Sequence, residues 1–374
     1  VIPYGRQDID EDDVAAVTAA LRSDHLTTGP AIENFERALS RVCGGGHVAA
    51  VNSGTAALHA AYAAIGLGVG DEVVVPPLTF ASTATAALQL GATVRFADVE
   101  DATLTLDPRA TEEAVGPATR AVVPVDFAGH PADVETLADI AHRHGVTCVV
   151  DAAHSIGARV GKQPVGALGD VTTFSFHPVK TVTTGEGGAV VSADRGTIDR
   201  VRAFRNHGIV RGGGLRRHDE GGWHQEVQTL GLNYRMPDVL AALGTSQLRR
   251  LPAFVQRRAQ LVARYRSALG DVEGLRLPTT RPNVVPAWHL FAVRVLGGRR
   301  REVYDSLRSR GIGVQVHYLP VYRHPLFADL GYTAGMCPVA EAAYEELLSL
   351  PLFPALTENQ QDQVIDALRV TLDA

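Results

Sequence analysis

Three cysteines, Cys43, Cys148 and Cys337, are all that the 374 residues contain, and they are not spaced like metal ligands. So small and odd a set excludes a disulfide scaffold and fits a reducing compartment. Cys148 falls inside an apolar run and reads as a small core residue. No long basic block offsets the formal net charge of −6, which argues against a nucleic-acid partner. A phosphorylated ligand would then be held locally, by helix N-termini and single Arg or Lys side chains. No apolar stretch approaches membrane-spanning length, no charged-then-apolar leader opens the chain, and no internal repeat stands out. The expected location is the cytoplasm, with no membrane partner.

What is present is enough apolar sequence, 45% against 20% charged, to bury a large core. The apolar, β-branched runs Glu72–Pro76, Thr93–Phe96, Ala121–Val125 and Thr147–Val150 alternate with helical stretches such as Ala81–Leu90 and Val134–His144. That alternation predicts an α/β fold with a mostly parallel sheet covered on both faces. Further helices are expected from the acidic cluster at Asp10 to Leu21, from Pro30, from Asp194 to Asn206, over Val239–Leu251 and over Ala253–Leu269. A boundary is expected at Leu251-Pro252, dividing a large domain (1–251) from a smaller C-terminal one (252–374). In the latter, Trp288–Val295 reads as a strand, and Arg301–Arg310, Val339–Leu348 and Glu358–Leu372 read as helices.

The chemistry concentrates in Phe174-Ser175-Phe176-His177-Pro178-Val179-Lys180, which stands between a strand-like run and the glycine-rich turn Gly185-Glu186-Gly187-Gly188. A poorly solvated lysine there has a lowered pKa and a free amine, fit to attack a carbonyl as a Schiff-base lysine. An ordinary surface lysine ending a strand is the plainer reading, and the upstream residues weigh against it. Val149-Val150-Asp151-Ala152-Ala153-His154 delivers a carboxylate at the C-terminal end of a strand, where open α/β sheets bind their ligands. An Asp facing a pyridine nitrogen would keep that nitrogen protonated, turning pyridoxal 5′-phosphate (PLP) into an electron sink. Asn52-Ser53-Gly54-Thr55-Ala56-Ala57 opens a helix whose free N–H groups suit a phosphate, although Ser-Gly-Thr alone is more often a simple N-cap.

The order of phosphate turn, Asp and Lys resembles the fold type I PLP-dependent aminotransferases, and within them the DegT/StrS family of sugar aminotransferases. The resemblance runs from Pro3-Tyr4-Gly5-Arg6 through Leu26-Thr27-Thr28-Gly29-Pro30 and the three segments above to Asn233-Tyr234-Arg235-Met236 and Gly311-Ile312. It implies a seven-stranded, mostly parallel sheet between helices plus a smaller α+β domain. Lys180 and Asp151 are then the catalytic pair, with Gly54, Thr55 and Ala56 at the phosphate and Ser175 a further cofactor-binding residue. It also implies Phe80 stacked on the cofactor ring, His154 near the cofactor's 3-oxygen, and Asn233 reaching the phosphate of a neighbouring subunit in a homodimer with shared active sites. On the residues alone, Phe80 reads more readily as a core aromatic than as a cofactor platform, and His154 is open to a structural reading. A dehydratase branch of the family carries His in place of the lysine, so Lys180 favours amino transfer.

Val316-His317-Tyr318-Leu319-Pro320 and Leu350-Pro351-Leu352-Phe353-Pro354 resemble the branch that aminates a UDP-linked 4-keto-6-deoxy-N-acetylhexosamine, which makes His317 and Tyr318 substrate candidates. Arg235, Arg6 and the Gly- and Arg-rich stretch Arg211–Arg217 are candidates on charge for donor carboxylates or nucleotide phosphates. The expected activity is transfer of the amino group of L-glutamate to a nucleotide-linked keto-deoxy sugar, by a ping-pong scheme and at C4. A 3-keto sugar or keto-cyclitol acceptor, or a PLP-binding regulator without turnover, stays open beside it.

Overall fold

The computed structural model describes residues 1–210 and 220–373, so the Arg211–Arg217 stretch lies outside the described residues. Seven apolar runs assemble into one sheet: β1 His47–Val51, β2 Glu72–Val75, β3 Thr93–Phe96, β4 Thr119–Val122, β5 Thr147–Asp151, β6 Val171–Ser175 and β7 Gly188–Ser192. Their spatial order is β1-β7-β6-β5-β4-β2-β3. The pairs from β3 across to β6 are parallel, whereas β7 runs against both its neighbours. Along β1, Ala49 and Val51 join a core with Leu58, Tyr62 and Leu78, while Val48 and Ala50 join one with Phe35, Leu39 and Leu137. This two-residue alternation between two dry faces is what a doubly covered sheet requires. The fold type I expectation holds.

A second, antiparallel sheet of β8 Leu275–Arg276, β9 Phe291–Val295 and β10 Leu347–Leu350 carries its own core, in which Tyr265 stacks on Phe291 with centroids 4.9 Å apart. The helices Arg300–Ser309 and Glu358–Leu372 pack with it.

Two local expectations are corrected. The helices predicted on either side of Pro252 are one helix, Asp238–Leu269, of 32 residues with Pro252 inside it. Its first half places Ala241, Leu248 and Leu251 in the core of the large sheet, and its second half places Leu261, Val262 and Tyr265 in the core of the small one. A proline inside a helix costs about 3 kcal/mol, and burying Leu251 and Phe254 on either side returns roughly 1.5–3 kcal/mol each, so tertiary packing carries the helix through. The helix expected over Val339–Leu348 spans Pro338–Glu346 and gives way to β10, where Leu348 pairs with Val293. Leu347, Leu348 and Leu350 are buried on both sides of that strand, and this makes the run ambiguous as a local pattern.

Candidate active site

The C-terminal ends of β5 and β6, the start of the Gly54–Ala64 helix, the loop after β2 and the segments leading into β9 and β10 enclose a cavity of about 380 Å³. Asp151, Lys180, Ser175, Gly54, Thr55, Phe80, His154, His317 and Tyr318 all line it. The structure therefore brings together most of the candidates that the sequence spreads over 265 positions (318 − 54 + 1).

Asp151 closes β5 and is buried, with Oδ2 accepting from Thr83 Oγ1 at 2.8 Å and Oδ1 from the Ala153 N–H at 3.1 Å. Thr83 in turn lies 2.7 Å from Thr79 Oγ1; with its own proton given to Asp151, Thr83 accepts from Thr79. Burial pushes the Asp151 carboxyl above its ordinary range, against the pull of the Thr83 and Ala153 donors and of the Lys180 charge. Lys180, partly buried in a turn closed by its N–H on the His177 carbonyl, is drawn down to about 8 by desolvation, with Asp151 acting the other way. At that value the free amine is present in quantity near neutral pH.

The helix start is built for an anion. Ser53 caps it by accepting the Ala56 N–H at 3.1 Å, so the N–H groups of Gly54 and Thr55 lie in the unpaired first turn at the cavity. Ala56 is thus buried behind the cap and not on the cavity wall. A Cβ on Gly54 would sit 2.7 Å from that of Ser175, so only glycine lets the helix come this close to the end of β6. Phe80 stands at the lip, 61% exposed, edge-on to Tyr318 at 6.4 Å between centroids. His154 Nε2 pairs with Tyr318 Oη at 3.2 Å, and His317 Nδ1 with Ser349 Oγ at 2.9 Å. Desolvation, with Lys180 nearby, holds His154 well below its ordinary value and His317 at about 4, so both are neutral imidazoles.

Three candidates lie off this cavity. Asn233 is exposed, its carbonyl 3.5 Å from Asn52 Nδ2. Arg235 donates to Asn206 Oδ1 at 2.7 Å and lines a separate cavity of about 450 Å³ with Thr28, Glu36, Arg202 and Arg205. That face is a single unit, because Asp238 accepts the N–H groups of Gly29 and Ala31 and donates its own to Leu26. Arg6, a candidate on charge, is exposed. Sequence reasoning passed over three residues at the site: Thr83, whose hydroxyl carries no motif; Tyr4, quoted only within a longer match; and His289, read as part of an apolar strand.

The residues present fit PLP. They offer an anion-binding helix start beside a serine, a buried carboxylate with two donors already in place, a low-pKa lysine, and a His154 Nδ1 that is buried with no hydrogen-bond partner among the described residues.

Comparison with known proteins agrees. The description "DegT/DnrJ/EryC1/StrS aminotransferase family" matches residues 7–369. The chain belongs to this family of PLP-dependent sugar aminotransferases. It is 38% identical to the spore coat polysaccharide biosynthesis protein SpsC of Bacillus subtilis, over 98% of this chain and 96% of that protein. Among solved structures it superposes on PseC of Helicobacter pylori, an aminotransferase involved in the biosynthesis of pseudaminic acid, with a TM-score of 0.94 at 29% identity, covering 100% of this chain and 99% of that one. Spr1654 of Streptococcus pneumoniae, in its PMP-form, gives 0.94 at 29% identity with the same coverage. Among the described residues no helix of this aminotransferase is long and apolar enough to cross a membrane, and no cluster could hold a metal ion.

Proposed function

We propose that this aminotransferase moves the amino group of L-glutamate onto the C4 keto group of a nucleotide-linked keto-deoxy sugar, in two half-reactions served by one lysine. The observation that carries the reading is Lys180, with its amine drawn to about 8, sharing a cavity with the buried Asp151 and neutral imidazoles. Bound there, PLP supplies an aldehyde that takes up the donor's amine and a ring that draws electrons from the adjacent carbon.

The chain's own residues do the rest. Lys180 Nζ takes the proton from the donor's α-carbon in the first half and returns one to the sugar's C4 in the second. Asp151, whose Thr83 and Ala153 donors favour its ionised form against burial, would hold a protonated ring nitrogen, and its charge would count for more because the site is dry. Gly54, Thr55 and Ser175 would hold the cofactor's phosphate, and Phe80, His154 and Tyr318 would hold its ring. His317, which shares the cavity with the lysine, would face the sugar. The exposed face carrying Thr28, Asn233 and Arg235 suits a second copy of the chain, with Asn233 completing the partner's phosphate site in a homodimer. The C4 preference rests on the blocks around His317 and Leu352 and on the likeness to PseC.

Cofactor-loaded protein mixed with glutamate should change its absorbance from the aldehyde form of the cofactor to the amine form. A panel of keto-sugar nucleotides should then restore the first form, with the position of the new amine read by NMR. Amination at C3, or of a cyclitol alone, would overturn the C4 reading, and no response to glutamate would overturn the donor.

A further inference from the structure

His289 lines the cavity from the segment leading into β9, and nothing above uses it. Its ring is 4% exposed and lies 4.4 Å from that of His154, tilted by 44°. Its Nδ1 and that of His154 are both buried and without a hydrogen-bond partner among the described residues. A histidine that merely fills a core normally has its nitrogens satisfied.

The backbone that delivers it is unusual. Two loops cross here, and Ala128, Gly129 and Trp288 all have positive φ, at 57°, 93° and 48°. For a tryptophan that region is strained. The crossing is pinned from both sides: the Ala287 N–H donates to the Gly129 carbonyl at 3.0 Å and the Leu290 N–H to Ala128 at 3.2 Å. Gly129 is held to glycine, since a Cβ there would lie 2.6 Å from the His289 backbone nitrogen and 3.0 Å from the His154 backbone carbonyl oxygen. From below, the buried Arg258 donates Nη1 to the carbonyls of Trp288 and His289 at 3.2 and 3.3 Å. Strain of this kind persists where surrounding contacts over-determine it, and it gathers at functional sites.

We propose that His289 is a positioning residue of amino transfer: the strained crossing seats its imidazole against His154 and so fixes the ring orientation in which His154 holds Tyr318 and presents Nδ1 to the cavity. The groups facing His289 are His154, Lys180, His317 and Arg258. Burial, with those neighbours, keeps its imidazole neutral, so it lends orientation without placing a charge beside Lys180. The inference rests on the amino-transfer reading above.

The test compares wild type, His289→Phe, which keeps a ring but no nitrogen, and His289→Asn, which restores a polar atom near Nδ1. Two readouts are taken on the cofactor-loaded enzymes: the pH midpoint of the bound cofactor's absorbance without substrate, and the kcat and KM of the glutamate half-reaction. His289→Phe is expected to shift the midpoint by about half a unit or more and to lose about ten- to hundredfold in kcat with little change in KM, as a misoriented group does. His289→Asn should recover part of both. A Phe variant with the wild-type midpoint and kcat would overturn the proposal, as would Asn and Phe variants failing equally in proportion to lost thermal stability. If the Phe variant does not fold, His289→Leu carries the same readouts. Wild type that binds the cofactor but ignores glutamate would refute the amino-transfer reading, leaving the absorbance midpoint to judge His289.

Discussion

Replacing Thr83 with valine removes one hydroxyl from the floor of the site and leaves its shape nearly unchanged. In wild type that hydroxyl gives its proton to Asp151 Oδ2 at 2.8 Å, and the only other donor to the carboxylate among the described residues is the Ala153 N–H at 3.1 Å. A hydrogen bond to a charged acceptor contributes about 1.5–3 kcal/mol, equivalent to about 1–2 units of pKa. Burial already holds Asp151 above its ordinary value, and the lost donor had favoured the ionised form, so its pKa rises further. At a given pH less of the carboxylate is then charged to hold the ring nitrogen. The acid limb of kcat for the glutamate half-reaction should move up by about 1–2 units, and cofactor affinity should fall about tenfold or more at neutral pH. Stopped-flow absorbance across pH and equilibrium dialysis of the cofactor measure the two. Thr83→Ser, which keeps the donor, should behave as wild type. A valine variant whose acid limb and cofactor affinity stay within about twofold of wild type would refute the argument that Thr83 holds the charge on Asp151.

Further outcomes follow from the same geometry. Lys180→Ala should lose turnover together with the absorbance of the lysine-bound cofactor, and retention of a tenth of wild-type activity would exclude the role given to its amine. Lys180→Met tests desolvation in the cofactor-free protein. The folded pKa of about 8 lies below the ordinary 10.5, so wild type bears up to about 3 kcal/mol of cost below pH 8 that disappears as pH rises through 10.5. The variant should therefore melt higher at neutral pH and match wild type at high pH, as followed by thermal denaturation. Gly54→Ala drives a Cβ to 2.7 Å from Ser175 and should weaken cofactor binding more than it lowers stability, as read by cofactor titration and urea unfolding. Mixing Lys180→Ala and Asn233→Ala subunits should recover about a quarter of wild-type activity if sites are shared across a dimer, because half the random pairs would hold one intact site.

How much of this was legible beforehand depends on distance along the chain. Lys180, Asp151 and the Ser53-Gly54-Thr55 turn each sit where a strand ends or a helix begins, and such junctions leave local marks: an apolar run, a cap, a glycine turn. The parallel sheet was likewise readable, since strands buried on both faces are nearly continuous in Val and Ala. The helix break expected at Pro252 is absent because a single helix is buried in two cores at once, a gain that no local window contains. Leu347–Leu350 became a strand for a comparable reason, its partner Phe291–Val295 lying more than fifty residues upstream.

The sequence by itself determined the parallel α/β alternation and the family and singled out Lys180 and Asp151 as candidates, because those follow from side-chain type and short-range periodicity. Only the tertiary structure decided which candidates meet. It set Thr83 on Asp151, put His289 against His154 through a strained crossing, buried the Ala56 N–H behind a cap, and left Asn233 and Arg235 on an outer face. Those outcomes depend on contacts between segments far apart in the chain, and the free energy of such contacts is absent from any local stretch of residues.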